Sequence, residues 1–230
     1  RRAMGLRSLT EVPLPDPQLA PGETGDGLLV RSLRASYDRT AVWEQVSFSA
    51  PRGQITAIIG HNGAGKTTLA RCLCGLMKEK TGTILWDGKP ASRKERKRLG
   101  FLIMQDVNLQ LFADSVLAEA QLGNDANEME AMAALERMDL AQYAQAHPLA
   151  LSGGQKQRLA IVDGCLSGKE MLIFDEPTSG LDYAHMLEVS RLLRELAELG
   201  LCVLVITHDG EFLRESGARA VSWLPVQQST

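Results

Sequence analysis

Short apolar runs recur along the chain and are separated by segments with a helical period. The runs at residues 54–59, 171–174 and 201–207 have the length of buried strands, and each is followed by a glycine or a polar residue. Strands that are apolar on both faces and alternate with helices are typical of a parallel sheet covered on both sides. We therefore predict an α/β fold with a mainly parallel sheet.

Other segments show weaker periods. Residues 28–36 and 42–49 alternate like two half-buried strands with a turn between them. Further strands are predicted at 84–86 and 99–104, and helices at 65–77, 127–143, 184–199 and after Ser152. In the 127–143 helix apolar residues recur every three positions, which favours packing into a core over a binding surface. They are Met129, Met132, Leu135 and Met138.

The composition narrows the class of protein. The chain has 230 residues, 44% of them hydrophobic, and a net charge of −3, which argues weakly against a nucleic-acid-binding protein. No run approaches the ~18 apolar residues of a membrane span, so a membrane role would need a partner. The four cysteines fit no zinc-binding spacing and are interpreted as buried or idle thiols; they are Cys72, Cys74, Cys165 and Cys202.

Residues 1–27 differ in composition from the rest. Prolines and glycines are concentrated there, as in extended linkers, and the first residue is Arg1. We expect a connector from an upstream domain over 1–27 and one folded domain over 28–230.

A glycine-rich segment follows the apolar run at 54–59. Residues 60–67 fit the pattern G-x-x-x-x-G-K-[ST] between a predicted strand and a predicted helix. In such a loop backbone N–H groups point at phosphate oxygens, the lysine reaches the β- and γ-phosphates and the hydroxyl ligates Mg²⁺. The predicted nucleotide-binding residues are Gly60, His61, Asn62, Gly63, Ala64, Gly65, Lys66, Thr67 and Thr68. The loop alone does not distinguish ATP from GTP.

Two acidic residues end the apolar run at 171–174. Asp175 and Glu176 could simply mark a strand ending at the solvent edge, where acids are common. Together with the phosphate loop they suggest phosphoryl transfer. Asp175 would then bind the Mg²⁺ that Thr67 also contacts, and Glu176 would orient or deprotonate the attacking water.

A third motif lies between these two. Residues 151–155 resemble the signature motif of ABC ATPases, and their order relative to the other two motifs is that of the family. Gln105 resembles the Q-loop glutamine, residues 179–182 resemble the D-loop, His208 resembles the switch histidine, and Tyr37 stands where an aromatic ring meets adenine. The resemblance covers residues 28–230. It implies a RecA-like P-loop NTPase fold with an antiparallel β-subdomain and an α-helical signature subdomain at about 106–165.

The resemblance also implies a mechanism. ATP and Mg²⁺ would lie between two ATPase domains arranged head to tail, with the signature of one domain closing over the γ-phosphate held by the other. His208 would contact the γ-phosphate, and Gln105 would sense Mg²⁺ or the water; the metal ligands would be Thr67, Gln105 and Asp175. The signature residues are Leu151, Ser152, Gly153, Gly154 and Gln155, and the D-loop residues are Ser179, Gly180, Leu181 and Asp182.

Residues 105–112 resemble a segment of energy-coupling-factor transporters, which import vitamins and metal ions. The implied partners are a second ATPase domain and a transmembrane subunit, with this chain peripheral at the cytoplasmic face of the membrane. Leu109, Leu111 and Phe112 are expected to form an apolar docking patch. The alternative is a non-transport ABC ATPase acting on nucleic acid or ribosomes. Only the basic run at 93–98 supports it, and such a run is usually a solvated helix face.

Overall fold

The structure is a computed structural model that describes residues 26–37, 40–60 and 63–222. The side chains of residues 36–45 and 222 lie outside this description, and so do the predicted nucleotide contacts of His61, Asn62 and the Tyr37 side chain. Of the linker predicted over 1–27, residues 1–25 also lie outside it. The predicted boundary is wrong by one residue, since β1 already begins at Gly27.

A parallel sheet forms the centre of the fold. Its strand order is β6-β7-β8-β3-β9, and every pair of neighbours is parallel. Every residue of β3, β7 and β8 is buried, because these are the apolar runs found in the sequence. The α/β prediction is confirmed. The strands are β3 (Ile55–Ile59), β6 (Gly100–Ile103), β7 (Met171–Asp175), β8 (Cys202–Ile206) and β9 (Arg219–Ser222).

A second, antiparallel sheet has the order β2-β1-β4-β5. Buried side chains of its strands, among them Val30 and Phe48, share one apolar core with Leu69 of the first helix and Ile58 of the parallel sheet. The antiparallel sheet is thus joined to one face of the parallel sheet through this helix. The elements are β1 (Gly27–Tyr37), β2 (Thr40–Pro51), β4 (Thr81–Trp86), β5 (Lys89–Pro90) and α1 (Lys66–Leu73).

The other face of the parallel sheet is covered mainly by two C-terminal helices. Leu193 and Phe212 are fully buried against strand residues such as Val205. The apolar stripe of the longer helix recurs every three to four residues, as expected for a helix with one face in a core. The two helices are α6 (Tyr183–Glu198) and α7 (Gly210–Ser216).

A third apolar core belongs to a helical unit. Leu111, Val116, Leu135 and Leu159 are buried in it. Its regular elements are α3 (Val116–Ala120), α4 (Glu128–Arg137), α5 (Gly153–Leu166) and 3₁₀ turns at Val107–Leu109, Ala141–Tyr143 and Pro148–Ala150.

The predicted helix at 127–143 is shorter than expected. It ends at Arg137, and Asp139 adopts φ of +55°, a left-handed conformation that a continuous α-helix does not contain. The expected core stripe is also partly wrong, since Met129 in the first turn is 77% exposed while Leu135 is fully buried.

The basic run at 93–98 forms α2 (Arg93–Leu99), but it is not a wholly solvated face. Arg96 is 1% exposed and pairs with Glu79 at 2.6 Å. Arg93 donates to the backbone carbonyls of Gly75 and Leu76. These contacts tie α2 to the segment after α1, because a buried guanidinium needs a partner.

The cysteines match the sequence interpretation. All four are free, and three of them are buried. Burial raises the pKa of Cys72 to about 11 and that of Cys202 to about 12, so these thiols stay protonated near neutral pH.

The helical unit contains an unusual acid. Asp163 of α5 has a side-chain oxygen, Oδ1, that is buried without a hydrogen-bond partner. Burial, and then the charge of the nearby Glu119, raise its pKa to about 8. The carboxyl group of Asp163 is therefore largely protonated in the folded chain at neutral pH.

We expect Asp163→Asn to remove a pH-dependent part of the stability. The folded-state pKa is above the unfolded value of about 4, so the stabilisation from the bound proton is complete below pH ~4. It is lost as the pH rises through about 8. As the pH rises over this window, the free energy of unfolding of Asp163→Asn should therefore increase relative to that of the parent, by at most about 1.4 kcal/mol per pH unit.

Urea unfolding of the parent and of Asp163→Asn at several pH values between 5 and 8 measures this difference in the free energy of unfolding. The same substitution at exposed Asp114 is the control. A difference between Asp163→Asn and the parent that does not change with pH would contradict the buried-acid assignment.

Candidate active site

A cleft of about 460 Å³ lies at the carboxyl ends of β3, β7 and β8. This position follows from the topology, because the loops that leave parallel strands meet at one edge of the sheet. The cleft brings together four separate segments of the sequence. Its lining residues are Gly63, Ala64, Gly65, Lys66, Thr67, Thr68, Gln105, Asp175, Glu176 and His208.

The loop between β3 and α1 forms one wall. Gly63 and Gly65 adopt φ of +82° and +85°, conformations that L-residues with side chains rarely adopt. Gly65 caps α1, and Lys66, Thr67 and Thr68 line the cleft, so the N-terminus of this helix lies at the cleft. Lys66 is 7% exposed, and its Nζ donates to the carbonyl of Gly60 at 2.6 Å. The loop thus offers backbone donors, a helix N-terminus and a buried cation.

A hydroxyl and a carboxylate meet across the cleft. Thr67 Oγ1 donates to Asp175 Oδ2 at 2.7 Å. Burial raises the pKa of Asp175, and the charge of Glu176 raises it further, while the Thr67 bond and the charge of Lys66 lower it. The Asp175 carboxylate therefore offers oxygen atoms to the cleft, and a cation bound beside it would stabilise its charged form.

Glu176 and His208 form a second pair. His208 Nδ1 lies 2.8 Å from Glu176 Oε1, and the side chain of Glu176 is 10% exposed against 58% for His208. Glu176 has φ of +52°, while its N–H donates to the carbonyl of Ile206 at 2.8 Å. A left-handed non-glycine residue costs of order 1–3 kcal/mol and is found most often at functional sites.

Gln105 is exposed and lines the cleft at the end of β6. The loop behind it is fixed by Gln110, which accepts from the N–H of Met104 at 2.7 Å and donates to the carbonyl of Leu102 at 2.6 Å. Lys156 of α5 donates to Asn108 of the same loop at 2.9 Å. No local sequence pattern indicates this role of Gln110, because its side-chain amide bonds to the backbone in the way a neighbouring strand would.

Two further polar contacts were also missed. Thr178 donates to Asp209 at 2.9 Å, which joins the loop after Glu176 to the loop after His208. Gln157 of α5 donates to the carbonyl of Pro177. Of these residues, only Asp209 has a role that a sequence pattern indicates. An aspartate directly before a helix is a frequent N-cap, and Asp209 caps α7.

The signature residues lie elsewhere. The Ser152 hydroxyl accepts from the Gln155 N–H, and the Gln155 side chain accepts from the Ser152 N–H, so these two residues form a capping box at the start of α5. None of residues 151–155 is among the described residues that line the cleft. The same holds for residues 179–182, where Asp182 caps α6. Ser152 in the first segment and Asp182 in the second are exposed.

The expected apolar patch is only partly correct. Leu109 is 64% exposed and Phe112 is 74% exposed, whereas Leu111 is buried in the core of the helical unit. The buried Leu111 and the exposed Phe112 are thus direct neighbours in the chain, and only Leu109 and Phe112 are left for a docking surface.

Within residues 26–37, 40–60 and 63–222 there is no group of three or more His, Cys, Asp or Glu residues that could hold a metal ion. Thr67 and Asp175 nevertheless offer hard oxygen ligands, and Mg²⁺ commonly binds through one or two carboxylates together with substrate phosphates. No helix in the described ranges is long and apolar enough to span a bilayer.

Comparison with known proteins extends this picture. Residues 43–179 match the family model described as "ABC transporter". An ABC transporter ATP-binding protein of Treponema denticola is 47% identical over 206 residues, covering 89% of this chain and 42% of the relative. A Bacillus subtilis protein named for HMP/thiamine import, the ATP-binding protein YkoD, is 37% identical over 83% of this chain and 36% of its own length. The chain thus spans less than half the length of these relatives.

Two solved structures share the fold. CbiO1 of Clostridium perfringens, described as part of the ABC transporter complex cbiONQ, is similar with a TM-score of 0.72 and 32% identity, covering 80% of this chain and 79% of that protein. A bacterial Atm1-family ABC exporter with ATP bound gives a TM-score of 0.71 and 28% identity, covering 86% of this chain and 37% of the exporter. This chain belongs to the ABC transporter family and is an ATP-binding domain of it.

Proposed function

We propose that this chain binds and hydrolyses Mg²⁺-ATP to energise transport through a membrane partner. The observation that carries the proposal is the convergence of the glycine-rich loop, two acidic residues, a glutamine and a histidine on one cleft. These groups come from four separate segments of sequence, and phosphoryl transfer uses each of them.

The glycine-rich loop provides the binding part. Backbone N–H groups of residues 60–65 and of the N-terminus of α1 would donate hydrogen bonds to phosphate oxygens, and Lys66 would add a positive charge. Lys66 already lies over the loop through Gly60, so a phosphate would replace a neutral carbonyl with an anionic partner. Thr67 and Asp175, with Gln105, are the proposed Mg²⁺ ligands. The ion would supply neutralisation of charge on the phosphates.

The hydrolytic step is assigned to Glu176. Its carboxylate is nearly excluded from solvent and borders the cleft, where it can orient a water and accept its proton. His208 holds one oxygen of that carboxylate and is itself open to the cleft, from which it can contact the γ-phosphate. Gln105 enters the same cleft from β6 and can respond to the metal or to the water.

The position of the signature motif supports a second ATPase domain as partner. Ser152 and the N–H groups of Gly153 and Gly154 form a helix N-terminus suited to an anion, yet they are not part of the chain's own cleft. They can act on a nucleotide only if another domain presents it. We therefore propose a head-to-tail pair, with residues 179–182 and the signature at the contact.

The proposed class is import of the energy-coupling-factor type, with a vitamin or a metal ion as cargo and the chain peripheral at the cytoplasmic face of the membrane. The sequence of residues 105–112 and the likeness to a thiamine-import relative and to CbiO1 support it. The similar exporter indicates that the fold of the ATPase does not by itself fix the direction of transport. We further propose that the proline- and glycine-rich residues before β1 act as a connector.

A nucleic-acid function finds less support. In the basic run at 93–98, Arg96 is buried in an ion pair and Arg93 is bound to backbone carbonyls. These two side chains are committed to the fold, which leaves three exposed basic residues in the run, Lys94, Lys97 and Arg98, as a small basic surface.

We expect Glu176→Gln to keep ATP binding and to slow turnover by roughly 10²-fold or more, because a positioned general base is lost. Lys66→Ala should instead weaken ATP binding, since a charge on the phosphates is removed. Nucleotide affinity and single-turnover hydrolysis, measured separately, distinguish the two effects. Hydrolysis by Glu176→Gln at the parental rate would show that another group activates the water.

The rate of hydrolysis should depend on the concentration of the chain. A composite site needs the signature of a second domain, so the rate per molecule should fall on dilution and rise when a partner domain is added. A series of ATPase assays from micromolar to nanomolar chain checks this. A constant rate per molecule over that range would mean that one domain suffices.

Phe112→Ser should impair assembly with the membrane subunit, or transport, while the chain stays folded and binds ATP. Phe112 is 74% exposed, so folding does not depend on it. Leu199→Ser, which removes a 65% exposed side chain from the far end of α6, is the matched control. Melting curves, ATP binding and transport in reconstituted vesicles are the measurements. Normal transport by a folded Phe112→Ser chain would remove the docking role.

A further inference from the structure

Glu119 of α3 is a buried carboxylate outside the cleft. It is 2% exposed, and its Oε2 accepts from the N–H of Phe112 at 2.7 Å and from the N–H of Ala113 at 2.6 Å. A carboxylate is costly to bury unless it is hydrogen-bonded, and bonds from N–H groups to an ionised acceptor are about twice as strong as neutral ones. Glu119 thus fixes two consecutive backbone groups.

The fixed segment carries the exposed apolar residues. Phe112 is 74% exposed although its own N–H is held by Glu119, and the preceding Leu111 is buried. On the other side, Gln110 ties the loop to the end of β6 through Leu102 and Met104. The loop is therefore held at both ends, by the parallel sheet and by the helical unit.

A loop held in this way presents its side chains at low entropic cost. Binding by a mobile loop loses part of the interaction free energy in ordering it, whereas a pre-organised loop does not. Glu119 lies on α3, which packs on α5, and its charge acts on Asp163 of α5. The anchor of the loop is therefore inside the same helical unit as α5, the helix that Ser152 caps.

We propose that Glu119 is a positioning residue for coupling: its carboxylate fixes the backbone at Phe112 and Ala113 and so presents Leu109 and Phe112 in one conformation to the membrane subunit. This inference rests on the proposed docking function. It assigns the geometry of the docking surface to a buried acid that does not touch the nucleotide cleft or the partner.

Three variants of the full chain test it. Glu119→Ala removes the acceptor, Glu119→Asp keeps the charge but withdraws the acceptor by one methylene, and Glu119→Gln keeps an oxygen at the same reach. Asp114→Ala removes an exposed carboxylate of the same loop and is the matched control. Glu119→Asp decides the test if Glu119→Ala does not fold.

The first readout is amide hydrogen exchange at Phe112 and Ala113. Exchange should accelerate by about 10-fold or more in Glu119→Ala and Glu119→Asp, because charge-assisted bonds are lost. It should stay closer to the parent in Glu119→Gln and be unchanged in Asp114→Ala. Unchanged exchange in Glu119→Asp would overturn the clamp.

The second readout is the affinity for the transmembrane subunit of the same transporter, measured with purified components in detergent. Affinity should fall by about 10-fold in Glu119→Ala and Glu119→Asp and be rescued in Glu119→Gln, while the KM for ATP of the isolated chain stays at the parental value. Parental affinity despite faster exchange would show that the clamp is structural only and would overturn the proposal.

The Phe112→Ser variant separates the two levels of argument. If Phe112→Ser docks normally, the docking function fails and the present inference fails with it. If Phe112→Ser docks poorly while Glu119→Ala and Glu119→Asp dock normally, only the role of Glu119 fails.

Discussion

The register between three buried parallel strands determines the geometry of the candidate site. Ile206 of β8 pairs with Ile58 of β3 on one side and with Asp175 of β7 on the other. Since all residues of these strands are buried, a slip by one position would exchange the side chains on the two faces of the sheet at a large cost. The residues that follow each strand are therefore delivered to one edge together. The bonds from Thr67 to Asp175 and from His208 to Glu176 depend on that alignment.

The site also contains buried charges and a strained backbone, whose free-energy cost a bound ligand can lower. Lys66 and Asp175 are both buried charged residues, and Glu176 has a strained backbone. In water-poor surroundings their interactions with an anionic phosphate and a cation are stronger than at an exposed surface. The proposed binding of Mg²⁺-ATP would thus stabilise the groups that are least favourable in the isolated chain, which is how strain is commonly maintained at functional sites.

The sequence predicted the central fold because its main features are local patterns. Uniformly apolar runs predicted β3, β7 and β8, and the glycine-rich spacing predicted the turn into α1. Tertiary contacts have no such local pattern. The burial of Arg96 needs Glu79, 17 residues away, and the bond from the Phe112 N–H to the Glu119 carboxylate depends on an irregular loop. The ends of helices were also uncertain, as the left-handed Asp139 interrupts a segment with good helical period.

Helix α5 contributes to two apolar cores, the core of the helical unit and the core on the adjacent face of the parallel sheet. Leu159 and Val162 of α5 are buried in the core of the helical unit, whereas Ala160 and Ile161 are buried against the parallel sheet. A Cβ at Gly164 would approach Leu172 to 3.3 Å, so the helix lies close to the sheet there.

Near its N-terminus, α5 is joined to neighbouring loops by side-chain hydrogen bonds. Lys156 binds Asn108 of the loop after Gln105, and Gln157 binds the backbone after Glu176. A single hydrogen bond contributes about 0.5–1.5 kcal/mol net and can be exchanged for water, whereas apolar packing cannot be exchanged at low cost. The N-terminal end of α5 is therefore joined to the two loops that border the nucleotide cleft by bonds that water can replace, whereas from Ala160 onward the helix is held by packing against the sheet.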